Sequence, residues 1–252
     1  MELNKVTITG ADESINSKEL IELSKQYPFV EWGILFSKSS QGVKPRYPSL
    51  EWIENFINEI VNSGVSVNIS AHICGAYMRE ILQGSNTLPD VVKKFNRLQF
   101  NFKYYDSEVN EESFVKLLIN DTTFFGSEII LQLRNDLNDN LFYNLEKIFS
   151  SRPEVTISGL LDCSGGTGKE IDDNFPLLIS RFKTYFGYAG GINPNNISSI
   201  IQKIGAKGKD NQDLRYWIDM ESGVRTKLGD KDFFDLNKVN DCLLISKNYV
   251  IL

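Results

Sequence analysis

Short runs of apolar and β-branched residues recur about eight times along the chain, each followed by a segment with helical spacing. The runs are KVTITG (5–10), VEWGILFS (30–37), VSVNIS (65–70), RLQFNF (97–102), EIILQL (128–133), SGLLDC (158–163), YFGYAGG (185–191) and YWIDMESG (216–223). Several are apolar through most of their length, as strands covered on both faces should be. Between them, Ile197, Ile200, Ile201 and Ile204 fall at i, i+3, i+4 and i+7, one apolar helix face. Asn193 reads as its N-cap, Pro194 as its first residue and Gly205 as its stop. Phe175, Leu178, Ile179 and Phe182 repeat the spacing, and Trp52, Ile53, Phe56, Ile57 and Ile60 form a third stripe after Ser49. Helical patterns also cover 17–26, 111–119, 140–149 and 235–246, with a weaker one in ICGAYMREIL; residues 84–96 read as a loop with a short helix.

Strand–helix alternation of this kind predicts an α/β fold with parallel strands and right-handed crossovers. Eight units favour a single (β/α)8 TIM barrel over residues 1–252; a doubly wound open sheet is the alternative.

Length and composition support a globular domain. At 252 residues the chain has the length of one such barrel, and 41% hydrophobic with 24% charged residues is ordinary for a packed core. A net charge of −6, from 27 basic and 33 acidic residues, argues against a nucleic-acid or anionic-membrane partner. Three scattered cysteines suit no disulfide framework and favour a reducing compartment. The polar start MELNKVTITG is no signal peptide, and no apolar run approaches the roughly 20 residues of a membrane span. The expectation is a cytoplasmic monomer or homodimer. A lone histidine rules out the common multi-histidine metal sites, so neither metal nor cofactor is expected.

Candidate chemistry gathers late in the chain. The stretch GLLDCSGGTGKEID suggests a nucleotide P-loop, but Cys163 stands where that motif needs glycine and Glu170 where it needs Ser or Thr. In a barrel the loops after the strands form the working face, and those after strands seven and eight commonly hold phosphate. Here they read AGGINPNN and MESGVRT. Gly190, Gly191, Asn193, Ser222 and Gly223 are therefore the candidate phosphate cradle, since glycine amides can approach an anion closely. One glycine pair would only make a turn; two such loops at consecutive strand ends point to a phosphorylated small-molecule ligand.

These motifs resemble phosphoribosylanthranilate isomerase, a TIM barrel of tryptophan biosynthesis. The resemblance lies in VTITG on strand one, FSKSSQGVKPRYPS after strand two, GLLDCSGGTGKEID, YAGGINPNNI, and IDMESGVRTKLGDKDFFDLNKV; residues 62–150 match poorly. It implies that Asp162 is the general acid that protonates the ring oxygen of a phosphoribosyl group and opens the sugar. A loop cap on the amides of Ser164 to Gly168 is the competing reading. Arg46 would pair with the anthranilate carboxylate, as a planar fork does well, against a plain surface arginine. The family's strand-one cysteine base is replaced by Thr9, whose hydroxyl does not ionise near neutral pH. Asp12, His72, Cys74 and Cys163 follow strands and could replace it, with His72 chemically the most apt. A Schiff-base lysine fits poorly, because Lys38, Lys103 and Lys169 lie beyond their strands. The resemblance thus implies a divergent sugar-phosphate isomerase using Asp162. The alternatives are a noncatalytic phospho-ligand binder and, third, a true phosphoribosylanthranilate isomerase.

Overall fold

A computed structural model describes residues 1–101, 109–133, 140–150, 155–163, 175, 185–208 and 214–251. Its strands are β1 (Glu2–Thr9), β2 (Val30–Ser37), β3 (Asn68–Cys74), β4 (Arg97–Asn101), β5 (Ser127–Leu133), β6 (Val155–Asp162), β7 (Phe186–Ala189) and β8 (Arg215–Met220). They close in sequence order into a barrel, every neighbour parallel, with β8 pairing back onto β1. Helices α1 (Ser17–Gln26), α2 (Leu50–Ser63), α3 (Gly75–Leu82), α4 (Glu111–Asn120), α5 (Asn140–Phe149), α6 (Ile197–Lys207) and α7 (Leu236–Ser246) lie between and after the strands. This is the (β/α)8 architecture the alternation predicts. The helix expected over 175–182 lies, apart from Phe175, outside the described residues.

The helical stripes bury as their spacing requires. Ile197, Ile200, Ile201 and Ile204 are all buried, and Ser49 caps α2 by accepting the Trp52 amide at 3.2 Å. Several strand ends shift by one to three residues from the sequence expectation, and three boundaries change the picture more. Strand β3 runs to Cys74, so His72 and Cys74 belong to the strand rather than the loop after it. Helix α6 begins one turn late, because the Asn193 carbonyl already closes a turn with the amides of Asn196 and Ile197. It also runs through Gly205 to Lys207: a glycine stops a helix by turning left-handed, and Gly205 keeps a negative φ. A hairpin of β9 (Arg225–Leu228) and β10 (Lys231–Phe234), turning at Gly229, follows β8 and was not foreseen.

The barrel interior is unusually polar for a fold normally filled with branched aliphatics. At its lower end Arg97 of β4 meets Glu31 of β2 at 2.5 Å and Glu128 of β5 at 2.7 Å. Thr7 and Lys5 of β1 complete the shell of Glu31, at 2.9 and 3.1 Å. Burial opposes the Glu31 charge, but Arg97 and Lys5 outweigh it and bring the carboxyl down to about 2. The Arg97 guanidinium lies 4.7 Å over the Trp217 ring of β8. That indole fits because β7 has Gly187 beside it, where a Cβ would stand 2.1 Å from the ring. Trp217 packs with Ile130, Leu160 and Ala189 in a small apolar cluster separate from the main core. Above this layer the interior becomes a hydrogen-bonded network that ends at the mouth.

Candidate active site

Thr9 ends β1 with its side chain inside the barrel, and its Oγ1 donates to Asp219 Oδ1 of β8 at 2.7 Å. The other carboxylate oxygen, Asp219 Oδ2, accepts from Gln99 Nε2 at 3.3 Å. Gln99 belongs to β4, so this bond crosses the barrel. The same amide nitrogen meets His72 Nδ1 at 3.2 Å and Asn101 Oδ1 at 3.0 Å, while His72 Nε2 meets Ser70 Oγ at 3.1 Å. The two hydrogens of that amide serve three acceptors, so one is shared; in the tautomer whose Nδ1 accepts from Gln99, the ring proton is on Nε2 and faces Ser70. Gly33 of β2 leaves room for the cluster: a Cβ there would lie 2.3 Å from Thr9 Oγ1 and 2.8 Å from His72 Nε2.

Electrostatics separate the members of this network. Burial pushes the Asp219 carboxyl up to about 7; the Thr9 and Gln99 bonds pull it down, and Glu31 and Asp162 push it up. Burial takes His72 the other way, to about 4, so its imidazole is neutral at pH 7. Desolvation raises the half-buried Cys74 thiol to about 12. His72 and Cys74 are thus interior neutral groups at this pH, whereas Asp219 is poised to exchange a proton near neutrality.

Asp162 stands at the C-terminal end of β6, nearly buried, and accepts Gln132 Nε2 of β5 at 2.7 Å. The neighbouring Cys163 is half-buried, and its amide donates to the Ala189 carbonyl at 3.1 Å. The loop from Ser164 to Gly168 lies outside the described residues, as do Lys103 and Lys169. Lys38 just beyond β2 is paired with Glu80 at 2.8 Å.

The two glycine loops meet over the same mouth. Gly190 and Gly191 have φ of 130° and 60°, in the region where glycine is favoured. Asn193 and Asn196 brace that loop: Asn193 Nδ2 and Asn196 Nδ2 both donate to the Gly191 carbonyl, at 2.9 and 3.0 Å. The Asn193 side chain thus shapes the loop from within. Ser222 and Gly223 open a 3-10 turn, Ser222–Val224, directly after β8. Among the described residues no acceptor pairs with the amides of Gly191, Ser222 or Gly223. A Cβ on Gly223 would stand 1.9 Å from the Ile192 carbonyl oxygen. Gly223→Ala is therefore expected to force the loops apart and to destabilise the fold by about 1–3 kcal/mol; urea denaturation followed by circular dichroism measures it.

Arg46 lies beside this cradle with its guanidinium already engaged. It meets Glu221 at 2.7 Å, Ser222 Oγ at 3.0 Å and Asp232 of the hairpin at 3.0 Å. Its backbone holds a φ of 78°, rare for a side-chain-bearing residue, and its amide donates to Asp12 at 2.7 Å. Arg225 joins the same knot through Asp12 at 2.8 Å, Asp232 at 2.7 Å and the Gly10 carbonyl. Burial would raise the Asp12 carboxyl, but Ser14, the Arg46 amide and Arg225 together hold it below the usual range. Asp12 is thus a fixed anion clamping the loops after β1, β2 and β8.

Sequence reasoning passed over Asp219, Gln99, Arg225 and Asp232. For Asp219 the signal was present, as the one carboxylate inside the apolar strand run YWIDM. Arg225 and Asp232 gave none, because their hairpin was read as loop.

The comparisons with known proteins bear on the half of the chain that carries most of this site. Residues 125–242 match the family model described as N-(5'phosphoribosyl)anthranilate (PRA) isomerase. Over that segment the chain is similar to the phosphoribosylanthranilate isomerase family. Two isomerases of that name from Leptospira borgpetersenii serovar Hardjo-bovis, strains JB197 and L550, are each 31% identical over 109 residues. That stretch is 43% of this chain, and the chain spans 44% of the length of those relatives. Phosphoribosyl anthranilate isomerase from Thermococcus kodakaraensis superposes with a TM-score of 0.56 over 98% of this chain and 100% of its own; at 16% identity it speaks for the fold alone. The matched segment begins just before β5 and ends within α7. It takes in Asp162, Gly190, Gly191, Asn193, Asp219, Ser222 and Gly223, while Thr9, Arg46 and His72 lie outside it. Among the described residues no helix is long and apolar enough to cross a membrane, and no cluster of three or more histidine, cysteine or acidic residues is placed to hold a metal ion.

Proposed function

We propose that this protein is a divergent sugar-phosphate isomerase that acts on a phosphoribose derivative, with Asp162 as general acid and the loops at 190–193 and 222–223 holding the phosphate. The observation that carries this reading is the convergence at one barrel end of Asp162 with two loops whose amides face no acceptor among the described residues. A phosphate oxygen placed between those loops receives backbone N–H groups from both, and the glycines let it come close. The sugar then extends toward the barrel axis, where Asp162 can protonate the ring oxygen and so open the ring.

N-(5'-phosphoribosyl)anthranilate is the substrate named for the relatives, and it is the first to test. Its anthranilate carboxylate would compete with Glu221 for Arg46, which is near enough to Ser222 to reach a ligand seated on the cradle. A second reading, a phospho-ligand binder without turnover, draws on one observation: Thr9 cannot ionise where the family has its base.

Two measurements test the proposal together. A phosphorylated ribose derivative is expected to raise the melting temperature, and the fluorescence of N-(5'-phosphoribosyl)anthranilate is expected to decay on adding the protein. Stabilisation without decay would favour the binder; neither effect would remove the basis of the cradle.

A further inference from the structure

Asp162 and Asp219 end adjacent parts of the same barrel wall, on β6 and β8, and the isomerase reading uses only the first. That reading, on which this inference rests, needs a second group to remove the C2 proton after ring opening. Thr9 stands at the family's position for that group, yet its hydroxyl donates its hydrogen to Asp219 at 2.7 Å. His72 lies beneath and has both ring nitrogens engaged, with Gln99 and Ser70. Both Thr9 and His72 are only 1% exposed, whereas Asp219 keeps 7%, close to the 8% of Asp162. As a residue Asp219 is thus more open than Thr9 or His72 and comparable with Asp162.

We propose that Asp219 is the proton acceptor of the isomerisation, taking over the work of the family's strand-one cysteine, with Thr9 and Gln99 as its positioning residues. Each carboxylate oxygen of Asp219 holds one donor and keeps a lone pair for substrate. The step balances as follows. Asp162 gives its proton to the ring oxygen, the C1–O bond breaks, and the nitrogen lone pair makes a C1=N bond. Asp219 takes the proton from C2; the C2–H pair becomes a C1=C2 bond, and the C=N pair returns to nitrogen. Asp219 then returns its proton to C1, and the C2 hydroxyl gives its own to the Asp162 carboxylate. This leaves a ketone at C2 and restores both carboxyl groups. The raised carboxyl of Asp219 suits the task, since a base working near neutral pH is best matched by a conjugate acid of similar pKa.

The sign of the pH dependence follows from the hydrogen bonds. Asp219 is competent when ionised, so kcat/KM should fall as pH drops through its raised pKa. Thr9 donates to the ionised form and lowers that pKa; Thr9→Val should therefore move the acid limb to higher pH.

The test compares native protein, Asp219→Asn and Thr9→Val on N-(5'-phosphoribosyl)anthranilate across pH 5–9. Asp219→Asn is expected to lose about 100-fold or more in kcat/KM, with its melting temperature and its stabilisation by inorganic phosphate retained. Thr9→Val is expected to keep turnover at high pH with its acid limb displaced upward. Native activity with Asp219→Asn within tenfold of it, or an unmoved limb in Thr9→Val, would overturn the assignment of Asp219 and leave the isomerase reading standing. Native protein without turnover would overturn the isomerase reading, and this assignment with it.

Discussion

Asp162→Asn is expected to lower kcat by about a thousandfold, within the range general acids contribute, while leaving phosphate-dependent thermal stabilisation intact. The amide is isosteric and can still meet Gln132 by presenting its carbonyl oxygen, so the wall of β5 and β6 should hold its shape. On the proposed mechanism, what is lost is the proton for the ring oxygen. Stopped assays of N-(5'-phosphoribosyl)anthranilate fluorescence measure the loss, and a thermal shift with inorganic phosphate checks that the cradle survives. Activity within tenfold of native would remove Asp162 from the acid's role. The experiment also separates Asp162 from Asp219. Loss of the acid blocks ring opening at every pH, whereas weakening the base displaces the acid limb.

The second large effect concerns stability. Arg97→Met is expected to lower the unfolding free energy by about 3–5 kcal/mol, because removing one partner of a buried ion pair strands the other. Glu31, 1% exposed, would lose its closest cation and keep only Lys5 at 3.1 Å. The pH sign reverses with it. In the native protein Glu31 titrates at about 2, below its ordinary 4.5, so its contribution is complete above 4.5 and fades as pH falls toward 2. Without Arg97, burial dominates and the carboxyl rises above 4.5, so the variant should gain stability on going from pH 7 to pH 5. Urea titrations at the two pH values measure both effects; equal stability of native and variant at pH 7 would show that the buried triad contributes nothing.

Much of the architecture was legible because it rests on burial. A strand covered on both faces must be apolar along its length, and VEWGILFS coincides with β2 to the residue. Helix α1 and helix α5 likewise run over 17–26 and 140–149 as their spacing predicts. The misplaced β3 has the opposite cause. Its interior residues Ser70, His72 and Cys74 are polar or small, so the run reads as ending at Ser70, yet the strand continues because its interior face meets a hydrogen-bond network instead of a core. The same polarity hid the site. Thr9, Gln99 and Asp219 come from strands far apart in sequence, and no local spacing connects residues separated by 210 or 120 positions. The glycine loops were visible because each is a local motif. The clamp of Arg46 and Arg225 on Asp12 and Asp232 was not, because it depends on a hairpin whose turn reads as ordinary polar loop.

Trp217 gives the barrel an optical property that follows from its position. Of the three tryptophans, Trp32 is bonded to Ser24 and Trp52 lies on α2, while Trp217 alone packs in the apolar cluster inside the barrel. A fixed cation 4.7 Å from its ring and the Tyr185 ring at 4.5 Å bias its excited state. With Trp32 and Trp52 replaced by phenylalanine, emission would come from beneath the mouth alone. The chain thus carries its own fluorophore where the interior charge is densest, and a change in the Arg97 layer would register as colour and intensity without any added label.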